Sequence, residues 1–132
     1  MRIIGSGLHR TLDFVTVVGF AVAPLALGLT GLAATLSYAL ALIHLTLTLL
    51  TTFPGSAARP VPFAVHGVIE GVVGVALIVL PWLAVWSGTP RTFYIAAGIV
   101  IFLVWATSKY RALGPDTAAE HAPEGGGARP RG

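Results

Sequence analysis

Residues 62–88 read PFAVHGVIEGVVGVALIVLPWLAVWSG, an apolar run interrupted by a single formally charged side chain, Glu70. A bilayer core ~30 Å thick is crossed by ~20 such residues in helical form, so the stretch predicts a transmembrane helix over residues 62–86. It also holds His66 and Glu70 four residues apart, the glycines Gly67, Gly71 and Gly74, and a Pro81-Trp82 step near its far end.

Working outward, residues 14–58 carry no charged side chain and are too long for one crossing; Gly28, Thr30 and Gly31 punctuate them. They divide into predicted helices over residues 8–28 and 32–53. The apolar sequence simply continues past the first helix, unlike a cleaved leader with its short core. Downstream, Ser87-Gly88-Thr89-Pro90 reads as a turn, and residues 92–112 predict a fourth helix. The segment after it, LGPDTAAEHAPEGGGARPRG, is rich in Gly, Pro and Ala and too poor in apolar residues to order itself. The expected fold is all-α: a four-transmembrane-helix bundle with a disordered C-terminal tail. Its expected parts are residues 1–7, a first two-helix unit over 8–53, a loop over 54–61, a second unit over 62–112 and the tail over 113–132.

Composition agrees. The chain is 55% hydrophobic and 10% charged, with a mean hydropathy of +0.85, against ~25% charged residues in soluble domains. The absence of cysteine excludes disulfides, thiolate metal sites and covalent c-type haem attachment. The bases lie at segment ends rather than on one soluble face, so nucleic acid is not an expected partner and the bilayer is. With four crossings, Arg2, Arg10, Arg59, Lys109 and Arg111 share one side and only Arg91 lies on the other. Because lysine and arginine are retained in the cytoplasm, both termini are expected there, in a multi-pass protein of the cell (cytoplasmic) membrane. Trp82, Trp86 and Tyr94 then mark the outer interface, and Trp105 and Tyr110 the inner one, as aromatic anchors.

Shifted by 57 residues, the chain matches itself: His9, Asp13, Pro24 and Gly31 fall on His66, Glu70, Pro81 and Gly88, and Thr51 and Phe53 on Ser108 and Tyr110. The bundle therefore reads as two helical-hairpin repeats. Each contains two crossings, so both enter the membrane from the same side and the repeats are parallel. A proline–tryptophan step in the first helix of a unit, Leu80-Pro81-Trp82 with a degenerate Ala23-Pro24-Leu25 in the other copy, resembles the SPW-repeat family of small bacterial membrane proteins. The resemblance covers about residues 8–112 and implies architecture and membrane location without a mechanism.

The polar residues offer the only chemistry. Histidine and carboxylate at i and i+4 share a helix face, and the pattern occurs twice, as His9 with Asp13 and His66 with Glu70. Counting the rise per residue from the loop that joins the second and third helices puts His44 level with Glu70. A polar cluster of His9, Asp13, His44, His66 and Glu70 is expected. It would serve as internal glue, as a proton path, or as a site for a divalent metal, since imidazole and carboxylate both bind zinc, iron and manganese; no other cofactor is predicted. The glycines Gly67, Gly71 and Gly74 predict close approach of a neighbouring helix, from the same chain, a second copy or another membrane protein. Pro24 and Pro81 predict kinks. No nucleophile elbow, phosphate loop or HExxH motif is present, so the sequence favours a non-enzymatic structural, accessory or self-associating membrane component over an ion-, proton- or metal-handling, transporter-like protein.

Overall fold

The computed structural model describes residues 3–110; Arg2, Arg111 and the expected tail lie outside them. Four helices follow in order: α1 (Ser6–Leu27), α2 (Gly31–Leu50), α3 (Phe63–Leu83) and α4 (Gly88–Thr107), with two-residue strands β1 (Thr51–Thr52) and β2 (Val61–Pro62) between α2 and α3. Each helix is long and apolar enough to cross a membrane.

The ends differ from the sequence reading for local reasons. Pro62 is not the first residue of α3 but its N-cap, in extended conformation. Thr89 and Pro90 belong to α4, which starts at Gly88, because proline is tolerated in a first turn where its N–H would have no partner. Helices α2 and α4 stop early. Thr51 and Ser108 leave the helical conformation and pair in parallel register with Val61 and Ile4, respectively.

Buried and exposed residues are distributed as a nonpolar surroundings would require. Along the helices many large apolar side chains are exposed, among them Val15, Val18, Val22, Leu42, Val68, Val72 and Leu103. Buried polar ones include His9, Asp13, Ser37, Thr51, His66, Glu70 and Ser108. The apolar core is Phe20, Ala23, Leu29, Ala33, Ala41, Leu77, Tyr94 and Ile101.

The helix backbones approach most closely within two hairpins, α1 with α2 and α3 with α4. In the second hairpin the contact is glycine on glycine: a Cβ on Gly98 would lie 2.7 Å from the Gly74 carbonyl oxygen, and one on Gly74 3.1 Å from that of Gly98. Gly71 lies under Trp105 and Gly67 under Tyr110. The neighbour that the glycine face admits is thus α4 of the same chain.

Several local features recur 57 residues apart. Gly28 and Val85 both have left-handed backbones, φ 64° and 53°. The N-caps Thr30 and Ser87 share φ −133°. Leu29 N–H donates to the Pro24 carbonyl as Trp86 N–H does to that of Pro81, and the two parallel pairings, Ile4 with Ser108 and Val61 with Thr51, obey the same spacing.

Both prolines lie within continuous helices, one turn from the C-terminal end. Pro24 leaves the Phe20 carbonyl without its helical donor, and the Ser37 hydroxyl supplies one at 2.7 Å. At the position corresponding to Ser37, the Tyr94 hydroxyl donates to the Ala33 carbonyl at 2.7 Å. Tyr94 has no exposed surface, so its expected role as an interface anchor gives way to one in the core. Trp82 is exposed with Arg91 over its ring, whereas Trp86 stacks on Tyr94 at 4.8 Å.

A candidate metal centre of three histidines and two carboxylates

At the end of the bundle where α1 and α3 begin and α2 and α4 finish, five side chains converge. His9 and His66 sit one turn into α1 and α3, with Asp13 and Glu70 one turn further on the same faces, as i, i+4 spacing dictates. His44, from the last two turns of α2, completes the set. The five residues are those the sequence singled out. His9 and His66 are fully buried and Asp13 and Glu70 nearly so; His44 retains 11% of its side-chain surface.

All three imidazoles present Nε2 to the carboxylates. His9 Nε2 lies 2.9 Å from Glu70 Oε2 and 3.4 Å from Asp13 Oδ1. His66 Nε2 lies 3.5 Å from Glu70 Oε1 and 3.6 Å from Asp13 Oδ2. His44 Nε2 is 3.8 Å from Asp13 Oδ1 and 3.9 Å from Glu70 Oε1. Charge-assisted N–H···O bonds are ~2.7–2.9 Å long and well aligned. Five of these six separations are longer, and neither Nε2 of His44 or His66 nor Asp13 Oδ2 has a hydrogen-bond partner. The spacing instead matches that between donors sharing an ion. Two atoms each ~2.1 Å from a metal are ~3.0 Å apart at a right angle, ~3.4 Å at the tetrahedral angle and ~3.6 Å at 120°. One donor atom from each of His9, Asp13, His66 and Glu70 falls within 4.8 Å of all the others.

The opposite ring nitrogens fix the tautomer. His9 Nδ1 lies 2.7 Å from Ser108 Oγ, and His66 Nδ1 2.8 Å from Thr51 Oγ1. Each hydroxyl gives its one hydrogen to a carbonyl a turn back in its own helix, Ser108 to Val104 and Thr51 to Leu47, both at 2.6 Å. The hydroxyl oxygens can then only accept, so Nδ1–H donates, and in the neutral imidazole Nε2 keeps a free lone pair directed at the carboxylates. This is the outer hydrogen bond that orients metal-bound histidines.

Thr51 and Ser108 acquire this position by leaving their helices, an event that helical periodicity does not announce. Their signal was the 57-residue match between two hydroxyl residues. Phe63, 5.0 Å from the His9 ring, covers the cluster together with Phe53 and Tyr110, whose rings lie 5.2 and 4.8 Å from it. The Tyr110 hydroxyl donates to Glu70 Oε2 at 3.1 Å. Burial and the adjacent Glu70 carboxylate raise the Tyr110 pKa well above that of an ordinary phenol, so Tyr110 stays a neutral donor. Tyr110 and Trp105, expected as anchors, are packed over glycines of α3 and partly buried.

Comparison of the chain with protein families, with curated proteins and with solved structures finds no match.

Proposed function

We propose that this is a small multi-pass protein of the cytoplasmic membrane that holds one divalent first-row transition metal ion between two repeated helical hairpins. The observation that carries the reading is the convergence of three imidazole Nε2 atoms on two buried carboxylates, with only His9 and Glu70 at hydrogen-bond distance and the remaining separations those of ligands sharing an ion. Two carboxylates placed together and out of water repel each other and lose hydration; an ion between them offsets both costs. Imidazole and carboxylate donors in this ratio suit iron, manganese or zinc.

The second reading, a cluster serving only as glue between the hairpins, is favoured by the 2.9 Å approach of His9 to Glu70. It leaves the lone pairs of His44 and His66 without a function. The 57-residue correspondences in backbone and hydrogen bonds support a duplicated hairpin, related by an axis along the membrane normal, as in parallel-repeat membrane proteins. The base asymmetry supports cytoplasmic termini and, with them, a cluster in the cytoplasmic half of the bilayer.

Elemental analysis of the purified protein tests the reading. About one divalent ion per chain is expected, lost in the pair Asp13→Asn and Glu70→Gln, which keeps the shape of both side chains. A folded parent that takes up no ion from metal-supplemented buffer would leave only the glue reading.

A further inference from the structure

The two hairpins differ at their first helical residues. Helix α1 starts at Ser6 and α3 at Phe63, positions that correspond at the 57-residue spacing. Each lies three residues before a histidine of the cluster, His9 or His66, and so one turn nearer the end of the bundle on the same face. On α1 that place holds a small hydroxyl side chain. On α3 it holds a ring whose centroid lies 5.0 Å from that of His9, 6.3 Å from that of His66, and 4.8 and 5.2 Å from those of Tyr110 and Phe53. Phe63, 7% exposed, is the central ring of the cover and reaches both imidazoles beneath it.

The three cover residues are held differently. Phe53 is tied through its backbone: its N–H donates to the Ser56 hydroxyl at 3.1 Å, and its carbonyl accepts from the Ser56 N–H at 2.9 Å. Tyr110 is tied through its hydroxyl to Glu70. The Phe63 ring is held by packing alone. As the first residue of its helix, it also lacks the preceding turn that restricts side-chain rotamers within helices. Turning this ring aside uncovers both imidazoles and breaks no hydrogen bond.

The other directions are closed to a charged particle. Beyond the carboxylates the interior is filled by Phe20, Ala41, Leu77 and Ile101. The buried hydroxyls of Ser37 and Tyr94 are committed to the Phe20 and Ala33 carbonyls. His44 keeps 11% of its side-chain surface, but the exposed side chains before it on α2, Leu42 and Ile43, are apolar. On either path an ion would lose its hydration without compensation.

We propose that the metal site is loaded and emptied from one end only, the end where α1 and α3 begin, and that the Phe63 ring is the plug that turns aside to let the ion pass. The inference rests on the metal reading above and adds to it the way the site exchanges its ion. The protein is then a one-ended binder of metal rather than a conduit across the membrane.

The test uses the full chain in lipid nanodiscs, loaded with zinc, with zinc content measured before rapid mixing with a fluorescent chelator; uptake by the metal-free protein is timed separately. Phe63→Ala is expected to release and take up zinc severalfold faster than the parent, both rates rising together. Ser6→Phe adds a second ring at the corresponding, half-buried place, and is expected to slow both rates severalfold. Parent-like rates in either variant overturn the plug, as does faster release in Phe63→Ala with unchanged uptake, which is lost affinity. With the chelator sealed inside vesicles carrying the parent, zinc added outside is expected to stay outside; its entry overturns the closed far side. Failure of the parent to take up zinc, manganese or iron overturns both proposals.

Discussion

At the scale of single residues, the hydroxyls of Thr51 and Ser108 do more for the site than their size suggests. Each holds one imidazole by Nδ1 while its own hydrogen is committed to the backbone. Removing such an outer partner from a metal-bound histidine usually costs 10–100-fold in affinity. Thr51→Val and Ser108→Ala should each weaken metal binding by about that factor with the fold retained, as read by competition with a chelator of known affinity. Equal affinity in the variants would mean that the lone pairs are not set this way. A different residue carries strain. Val85 has φ 53°, a left-handed conformation that costs an L-residue roughly 1–2 kcal/mol and glycine almost nothing. Its side chain is 85% exposed, so little packing is at stake. Val85→Gly should raise stability by about 1 kcal/mol, seen as a higher thermal midpoint in detergent, and Gly28→Val should lower it.

At the scale of helices, most of the architecture could be read from the chain because hydrophobic length decides it: each run of about 20 apolar residues has few alternatives in lipid. Helix ends were less legible. Thr51 and Ser108 continue an apolar pattern, and what stops their helices is pairing with Val61 and Ile4, partners remote in sequence or across a loop. The i, i+4 spacing revealed four of the five site residues, and depth counting added His44. The partner of the glycine face stayed open because Gly98, the residue that meets Gly74, lies alone in α4 without a small-residue companion at helical spacing. Its weight can be tested. Gly98→Ala puts a methyl group 2.7 Å from the Gly74 oxygen and 2.9 Å from Ile78, and overpacking of this kind costs about 1–3 kcal/mol. Thermal unfolding in detergent should show that loss, whereas Gly19→Ala, with open space around its Cβ, should show little. If the two behaved alike, the α3/α4 contact would not depend on close backbone approach.

At the scale of the whole molecule, the orientation that the base asymmetry favours can be measured directly. Reporter fusions after Gly31 and Gly88 should register outside the cytoplasm, and one after Gly55 inside; an inside signal at Gly88 would require a different number of crossings. The division of labour between the hairpins has a further consequence. Backbone packing is strongest within each hairpin, but many of the polar approaches run between them: His9 to Glu70, His66 to Asp13, His44 to Glu70, His9 to Ser108 and His66 to Thr51. An ion held there is a rivet through two plates, and whatever free energy it supplies is free energy of assembly. On the metal reading, chains without the ion would be two more loosely joined halves with a pair of buried carboxylates repelling each other. The amount of folded protein would then follow the supply of the ion with no change in the rate of synthesis.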